Sequence, residues 1–261
     1  VRRELSLSSI VRSEWIKFRT VRSTLVGVSI TFVLTLGLGA LVTSLVRAHW
    51  NSTNLANQLT FDPVGASLVG VIFAQFAVGV IGSLFITSEY TSGSMRTTLT
   101  SVPRRLELAF GKLIVLAASM FAIGEVAAFA AFLMGQAIFS GVVPTASLAT
   151  GSVLRSVVLA GVYLTLLAAF AYSLGLILRQ SAACISVFVS LLLVLPLILV
   201  FLPQSWQNDA RRYLPAELGR AMTSTTTPPN DFGWVSALII LAAYVVVIFV
   251  VGTSMFIRRD A

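Results

Sequence analysis

Charge is scarce in this chain: 11% of its 261 residues are charged and 57% are hydrophobic, with a mean hydropathy of +0.93, whereas soluble domains carry about 25% charged residues. A water-soluble unit of this length needs a polar surface that 18 basic and 10 acidic side chains cannot supply. The shortage excludes a soluble enzyme, a disordered tail and a free nucleic-acid-binding module. Cysteine is represented only by Cys184, so no intramolecular disulfide can form and nothing follows about redox compartment. The single histidine, His49, has no Cys or His companion, which argues against a metal site built on those residues. Catalytic signatures are missing too. The pair Gly111-Lys112 is followed by Leu113 and has no glycine five positions earlier, so it is not a phosphate-binding loop. No Gly-x-Ser-x-Gly or His-Glu-x-x-His occurs. The expectation is a chain with no cofactor, metal or catalytic residue of its own.

What is present is apolar sequence in long runs. Six stretches reach the roughly 20 helical residues needed to cross a bilayer core: Leu25 to Val46, Val64 to Thr87, Leu113 to Phe139, Val153 to Leu178, Ala182 to Leu202 and Val235 to Ile257. A spanning backbone must satisfy its own hydrogen bonds, and no ten-residue alternation suggests a barrel, so helices are the default. The expected fold class is an all-α integral membrane protein. The net charge of +8 is no nucleic-acid footprint, because the cations cluster at the ends of apolar runs.

Orientation follows from those cations. With an inside amino terminus, Arg2, Arg3, Arg12, Lys17, Arg19, Arg22, Arg96, Arg104, Arg105, Lys112, Arg179, Arg258 and Arg259 fall on the cytoplasmic side. Arg47, Arg155, Arg211, Arg212 and Arg220 fall outside, largely offset by Asp62, Asp209, Glu217 and Asp231. The bias places both termini in the cytoplasm.

Three segments outside the spans carry information. Residues 5–22 set Leu7, Ile10, Val11, Trp15, Phe18 and Val21 on one helical face and Arg12 and Arg19 on another, the pattern of an interfacial helix on the inner leaflet. Glu14 projects into the apolar stripe and Ile16 out of it. Residues 88–107 form the longest cytoplasmic connection, in which Met95 to Ser101 suits a short helix stopped by Pro103. It reads either as a mechanical handle for a cytoplasmic partner or as a solvated loop. Residues 203–233, with four prolines, are an outer loop long enough to imply a role. Its apolar residues suggest short helices dipping into the outer leaflet, or packing over the bundle ends.

Within the spans, Glu125 is the one deeply embedded ionisable residue. It reads either as a contact for a cationic substrate or proton, or as a neutral acid hydrogen-bonded to a neighbouring helix. Gln75, Gln136, Tyr163, Tyr172 and Thr165 read as interhelical hydrogen-bonding groups, while Gly37, Gly39, Ala160, Gly161 and Gly175 offer close-approach patches. Pro196 should kink the fifth span.

The segment Val11-Arg-Ser-Glu-Trp-Ile-Lys-Phe-Arg-Thr-Val-Arg-Ser-Thr24, leading directly into a span, resembles the opening of type-2 ATP-binding-cassette (ABC) transporter permeases, particularly an actinobacterial branch. The stretch Thr87-Ser-Glu-Tyr-Thr-Ser-Gly-Ser-Met-Arg-Thr-Thr-Leu-Thr-Ser-Val-Pro-Arg-Arg105 is similar to the family's segment after the second span. Tyr213-Leu-Pro followed by Gly219 looks like its outer loop.

The resemblance implies an amino-terminal elbow helix within residues 1–23, to which Glu14, Trp15, Lys17 and Arg19 belong, and a six-helix transmembrane domain over 24–261. It implies a coupling region containing Glu89, Tyr90, Gly93, Met95, Arg96 and Thr97. It further implies two separate cytoplasmic ATPase subunits that bind ATP and Mg, a second permease subunit forming a homo- or heterodimer, and residence in a bacterial cytoplasmic membrane. The family mostly exports antibiotics, peptides, lipids or polysaccharide precursors. Two other readings stay open: an ion- or proton-coupled secondary transporter, and a membrane scaffold or immunity protein.

Overall fold

The computed structural model describes residues 7–95, 105–201, 203–226 and 231–258, and every regular element among them is helical. An amino-terminal helix, Leu7–Thr20, precedes six helices long and apolar enough to cross a membrane: Arg22–Ser52, Gly70–Thr91, Arg105–Phe139, Gly151–Leu178, Ser181–Leu199 and Trp234–Arg258.

The fourth of these spans is the hub. It packs against the second, third and sixth, and 78% of its most apolar window is buried, against 17% in the first and fifth spans. Its sequence explains the position, because it is apolar all round and small where neighbours cross. Gly82 of the second span lies against the Ala168 backbone carbonyl, so closely that a Cβ there would collide with it. Gly124 faces Gly161, and Gly175 sits under Ile86 and Thr87. Among the expected patches, Gly39 abuts the Ser67 carbonyl, while Gly37 has open space around it. These close approaches are within the chain.

Two spans depart from α geometry. The first passes through a π-helical turn at Val33–Gly37 and the fifth through another at Ser190–Val194. The second π turn lies just before Pro196, which occupies the opening turn of the continuing helix Leu195–Leu199. The widened turn accommodates the missing proline N–H, giving the expected interruption a specific form.

Several boundaries differ from the sequence reading. The second span begins at Gly70 rather than Val64, because a separate short helix, Pro63–Ser67, is capped by the Asp62 carboxylate and ends before it. Gly70 then lets the chain pass against the Leu34 and Thr35 carbonyls of the first span. The third span begins at Arg105, not Leu113. The outer loop holds two helices, Gln204–Arg211 and Pro215–Thr223, and the second buries Leu218 and Met222 against the fourth and sixth spans. Packing over the bundle end thus describes this loop. The amino-terminal helix and the last turn of the sixth span both pack beside the start of the third: Arg105 donates to the Phe256 and Ile257 carbonyls at 3.1 and 3.2 Å, and Gly111 abuts Ile10 of the amino-terminal helix.

Four of the five polar groups expected to join helices do so. Tyr163 donates to Gln75 at 2.5 Å, Tyr172 to the Ala109 carbonyl at 3.0 Å, and Gln136 to Ser67 at 3.0 Å. Thr165 differs, bonding the Gly161 carbonyl of its own helix. Tyr163→Phe should lower resistance to SDS unfolding by about 0.6 to 2 kcal/mol, since it leaves a buried amide oxygen unpaired. A midpoint equal to that of the parent chain would show that this bond adds nothing.

Candidate functional site

Four charged side chains from three helices meet where the amino-terminal helix packs beside the end of the second span and the start of the third. Lys112 Nζ lies 2.6 Å from Glu14 Oε2 and 2.7 Å from Glu89 Oε1. Lys17 Nζ lies 2.9 Å from Glu14 Oε1 and 2.9 Å from the same Glu89 oxygen. Lys112 and Glu14 are each 1% exposed and Glu89 12%, whereas Lys17 keeps 41% of its side chain accessible.

Each position follows from local structure. Ile10, Glu14 and Phe18 form an i, i+4 line that the amino-terminal helix buries against the third span. Glu14 therefore sits in the apolar stripe because its partner, Lys112, is behind that stripe. The second span stays helical to Thr91, carrying Glu89 one turn beyond Phe85 on the same face. Lys112 also lies 5.3 Å from the Phe85 ring centroid, a cation–π contact.

The two cations and two carboxylates neutralise one another, as charges removed from water must. Burial pulls the Lys17 pKa down, but its hydrogen bonds and attraction to Glu14 and Glu89 outweigh this and raise it above the ordinary value. The resulting stabilisation is present below the unfolded lysine value of about 10.4 and is lost only as pH rises through the higher folded value. Chemically the cluster is a fastener. It ties the amino-terminal helix, the end of the second span and the start of the third into one unit.

Glu14, Lys17 and Glu89 were all singled out in the sequence, and the structure brings them together. Lys112 was missed as a site residue. The available signal was a lone lysine flanked by apolar residues on both sides, with Glu14 and Glu89 among the acids that precede it.

The other expected residues occupy the neighbourhood. Trp15 stacks on Phe18 at 6.2 Å, and Arg19 lies 5.9 Å from the Trp15 ring centroid. Tyr90 receives the Arg179 guanidinium 5.3 Å from its ring centroid. Gly93, at φ 71°, turns the chain after the second span, a conformation that favours glycine. Met95 is buried. Arg96 and Thr97 lie outside the described residues, as does most of the expected Met95 to Ser101 helix. Arg179 itself ends the fourth span at φ 56° and reaches toward the Met255 carbonyl at 3.5 Å. With Arg105 it holds the last carbonyls of the sixth span, where a cation suits the helix dipole.

Glu125 stands apart, in the middle of the third span. Its Oε1 is buried and has no hydrogen-bond partner among the described residues. A Cβ on Gly161 would come within 2.5 Å of that oxygen, so the carboxyl group fills the space a larger residue would take.

Compared with known families, residues 8–261 match the family model described as ABC-2 family transporter protein. A search of curated proteins finds no match.

Proposed function

The chain belongs to the ABC-2 family of transporter proteins, and on that premise we propose that it couples ATP hydrolysis by a separate ATPase to outward movement of a hydrophobic or amphipathic substrate, such as an antibiotic, peptide or lipid. It is a multi-pass membrane protein and the permease of an ABC transporter. Two ATPase subunits, holding ATP and Mg, sit beneath a pair of permeases, either two copies of this chain or this chain and a related one. The amino-terminal helix is the elbow, both chain ends face the cytoplasm, and residues 88–107 receive the push of the ATPase.

The observation supporting this reading is the four-charge cluster beside the 88–107 connection. Glu89 is fixed to the amino-terminal helix through Lys17, and to the third span through Lys112. A displacement of the connection is therefore delivered to three helices together instead of being dissipated in a loop. The first and fifth spans, the least buried of the six, line the route with the second and meet the partner permease. The coupling operates on one condition: nucleotide-bound and nucleotide-free ATPase must differ in affinity for the two permease states.

In reconstituted vesicles, ATP hydrolysis by the complex should vanish when the phosphate-loop lysine of the partner is replaced. Glu89→Ala or Arg96→Ala should lower transport and substrate-stimulated hydrolysis about fivefold or more, the low end of typical coupling strengths, while membrane insertion stays normal. Unchanged coupling in both variants would contradict the assignment.

A further inference from the structure

Between the amino-terminal helix, the start of the first span and the last turns of the second lies a cavity of about 380 Å³, within the size range of small-molecule sites. Its two ends differ in chemistry. At one end stand Glu89, Ser88, Ser92 and Lys17; Val80, Ile81, Leu84 and Phe85 of the second span run along the other, and Val21, Ser23 and Thr24 add to the lining. Val80 and Glu89 are nine positions apart, about 13.5 Å along a helix. The cavity thus combines a polar head region with an apolar cleft.

The hydrogen bonds within the cluster show what a ligand head would have to supply. Both Glu14 oxygens accept from lysines, and Glu89 Oε1 accepts from two. Glu89 Oε2 is buried and accepts from nothing among the described residues. A carboxylate oxygen withdrawn from water without a donor is costly, and the two lysines are already engaged with the other oxygens. The unmet requirement is for a donor, and an alkylammonium head, with three N–H groups, can supply one.

We propose that this cavity binds an amphiphile with a primary ammonium head, its N–H group donating to Glu89 Oε2 and its alkyl tail lying along Val80 to Phe85. The site deepens the reading given above, resting on it only for the question of whether the occupant is transported. An ammonium head on an alkyl chain occurs both in aminophospholipids and in amphipathic amine cargo. The polar end lies where the second span ends, at the expected headgroup level, so either source can enter from the inner leaflet.

The test uses the full chain in phosphatidylcholine nanodiscs without nucleotide, with dodecylamine as the probe and dodecanol and dodecyltrimethylammonium as controls. Dodecylamine should bind saturably, and dodecyltrimethylammonium, which has no N–H, should bind about tenfold or more weakly, the worth of one charge-assisted hydrogen bond. Leu84→Trp, which fills the tail cleft and leaves the four charges in place, should abolish binding, and Glu89→Gln should weaken it. Equal binding of the three probes, or binding unaffected by Leu84→Trp, overturns the proposal. Competition by phosphatidylethanolamine without ATP-dependent movement of dodecylamine identifies a resident lipid, and ATP-driven efflux of dodecylamine identifies cargo; either supports the site. Because binding is read without nucleotide, its failure is separate from failure of ATP coupling.

Discussion

Lys112→Met is expected to destabilise the folded chain by about 3 to 5 kcal/mol, the usual consequence of removing one partner from a buried ion cluster. Lys112 is enclosed, and it is the group closest to both carboxylates, at 2.6 and 2.7 Å. Without it, Glu14 and Glu89 share only Lys17, which is partly exposed. Methionine matches lysine in length and packs well in an apolar site, so the loss is electrostatic rather than steric. Neutralising the acids in the same chain, Lys112→Met with Glu14→Gln and Glu89→Gln, should recover most of the stability, because apolar or neutral replacements of a whole buried cluster are often tolerated. SDS or thermal unfolding of the purified chain measures both. If Lys112→Met unfolds like the parent, the cluster is not a fastener. If the triple variant is no better than the single one, the loss comes from packing.

The second large effect is expected at Gly82. A leucine there would drive its Cβ into the Ala168 backbone carbonyl, and backbone cannot move aside as a side-chain tip can. The second and fourth spans would have to separate at the most buried helix of the bundle. The penalty should reach the upper end of the roughly 1 to 3 kcal/mol typical of overpacking, or exceed it. Gly37→Leu supplies the contrast, since nothing lies within 4 Å of a Cβ built there. The measurement is the unfolding midpoint of both variants in the same detergent. Equal midpoints would show that the second and fourth spans are not locked by close approach.

These two positions illustrate how much of the molecule can be read from sequence. The spans were legible because bilayer thickness sets the length of an apolar run and nothing else in the chain competes with that signal. The fourth span matched within two residues at its start and ended at Leu178 as expected. The third did not, and Lys112 is the reason. A lysine next to an apolar run reads as the edge of a membrane segment, whereas Glu14 and Glu89 neutralise this one and the helix extends back to Arg105. Neutralisation by a residue 98 positions away leaves no local trace. The same pairing accounts for Glu14, which spoils the stripe of the amino-terminal helix only while its partner is unknown. The π turn at Val33–Gly37 was equally invisible, since nothing in Val-Leu-Thr-Leu-Gly breaks a helix, whereas Pro196 announced the interruption of the fifth span. Glu125 was expected either to serve function or to find a donor; the structure gives its buried Oε1 no donor among the described residues and places it on Gly161.

The central claim is that force from an ATPase enters this chain through the connection after the second span. It is tested most directly by a single reactive cysteine at Ser94, with Cys184→Ala removing the one native thiol. A membrane-impermeant maleimide is added to right-side-out and inside-out vesicles, with and without the partner ATPase. The account predicts labelling from the cytoplasmic face alone, and strong protection once the ATPase is bound. Labelling from the exterior, or a rate indifferent to the ATPase, would contradict it.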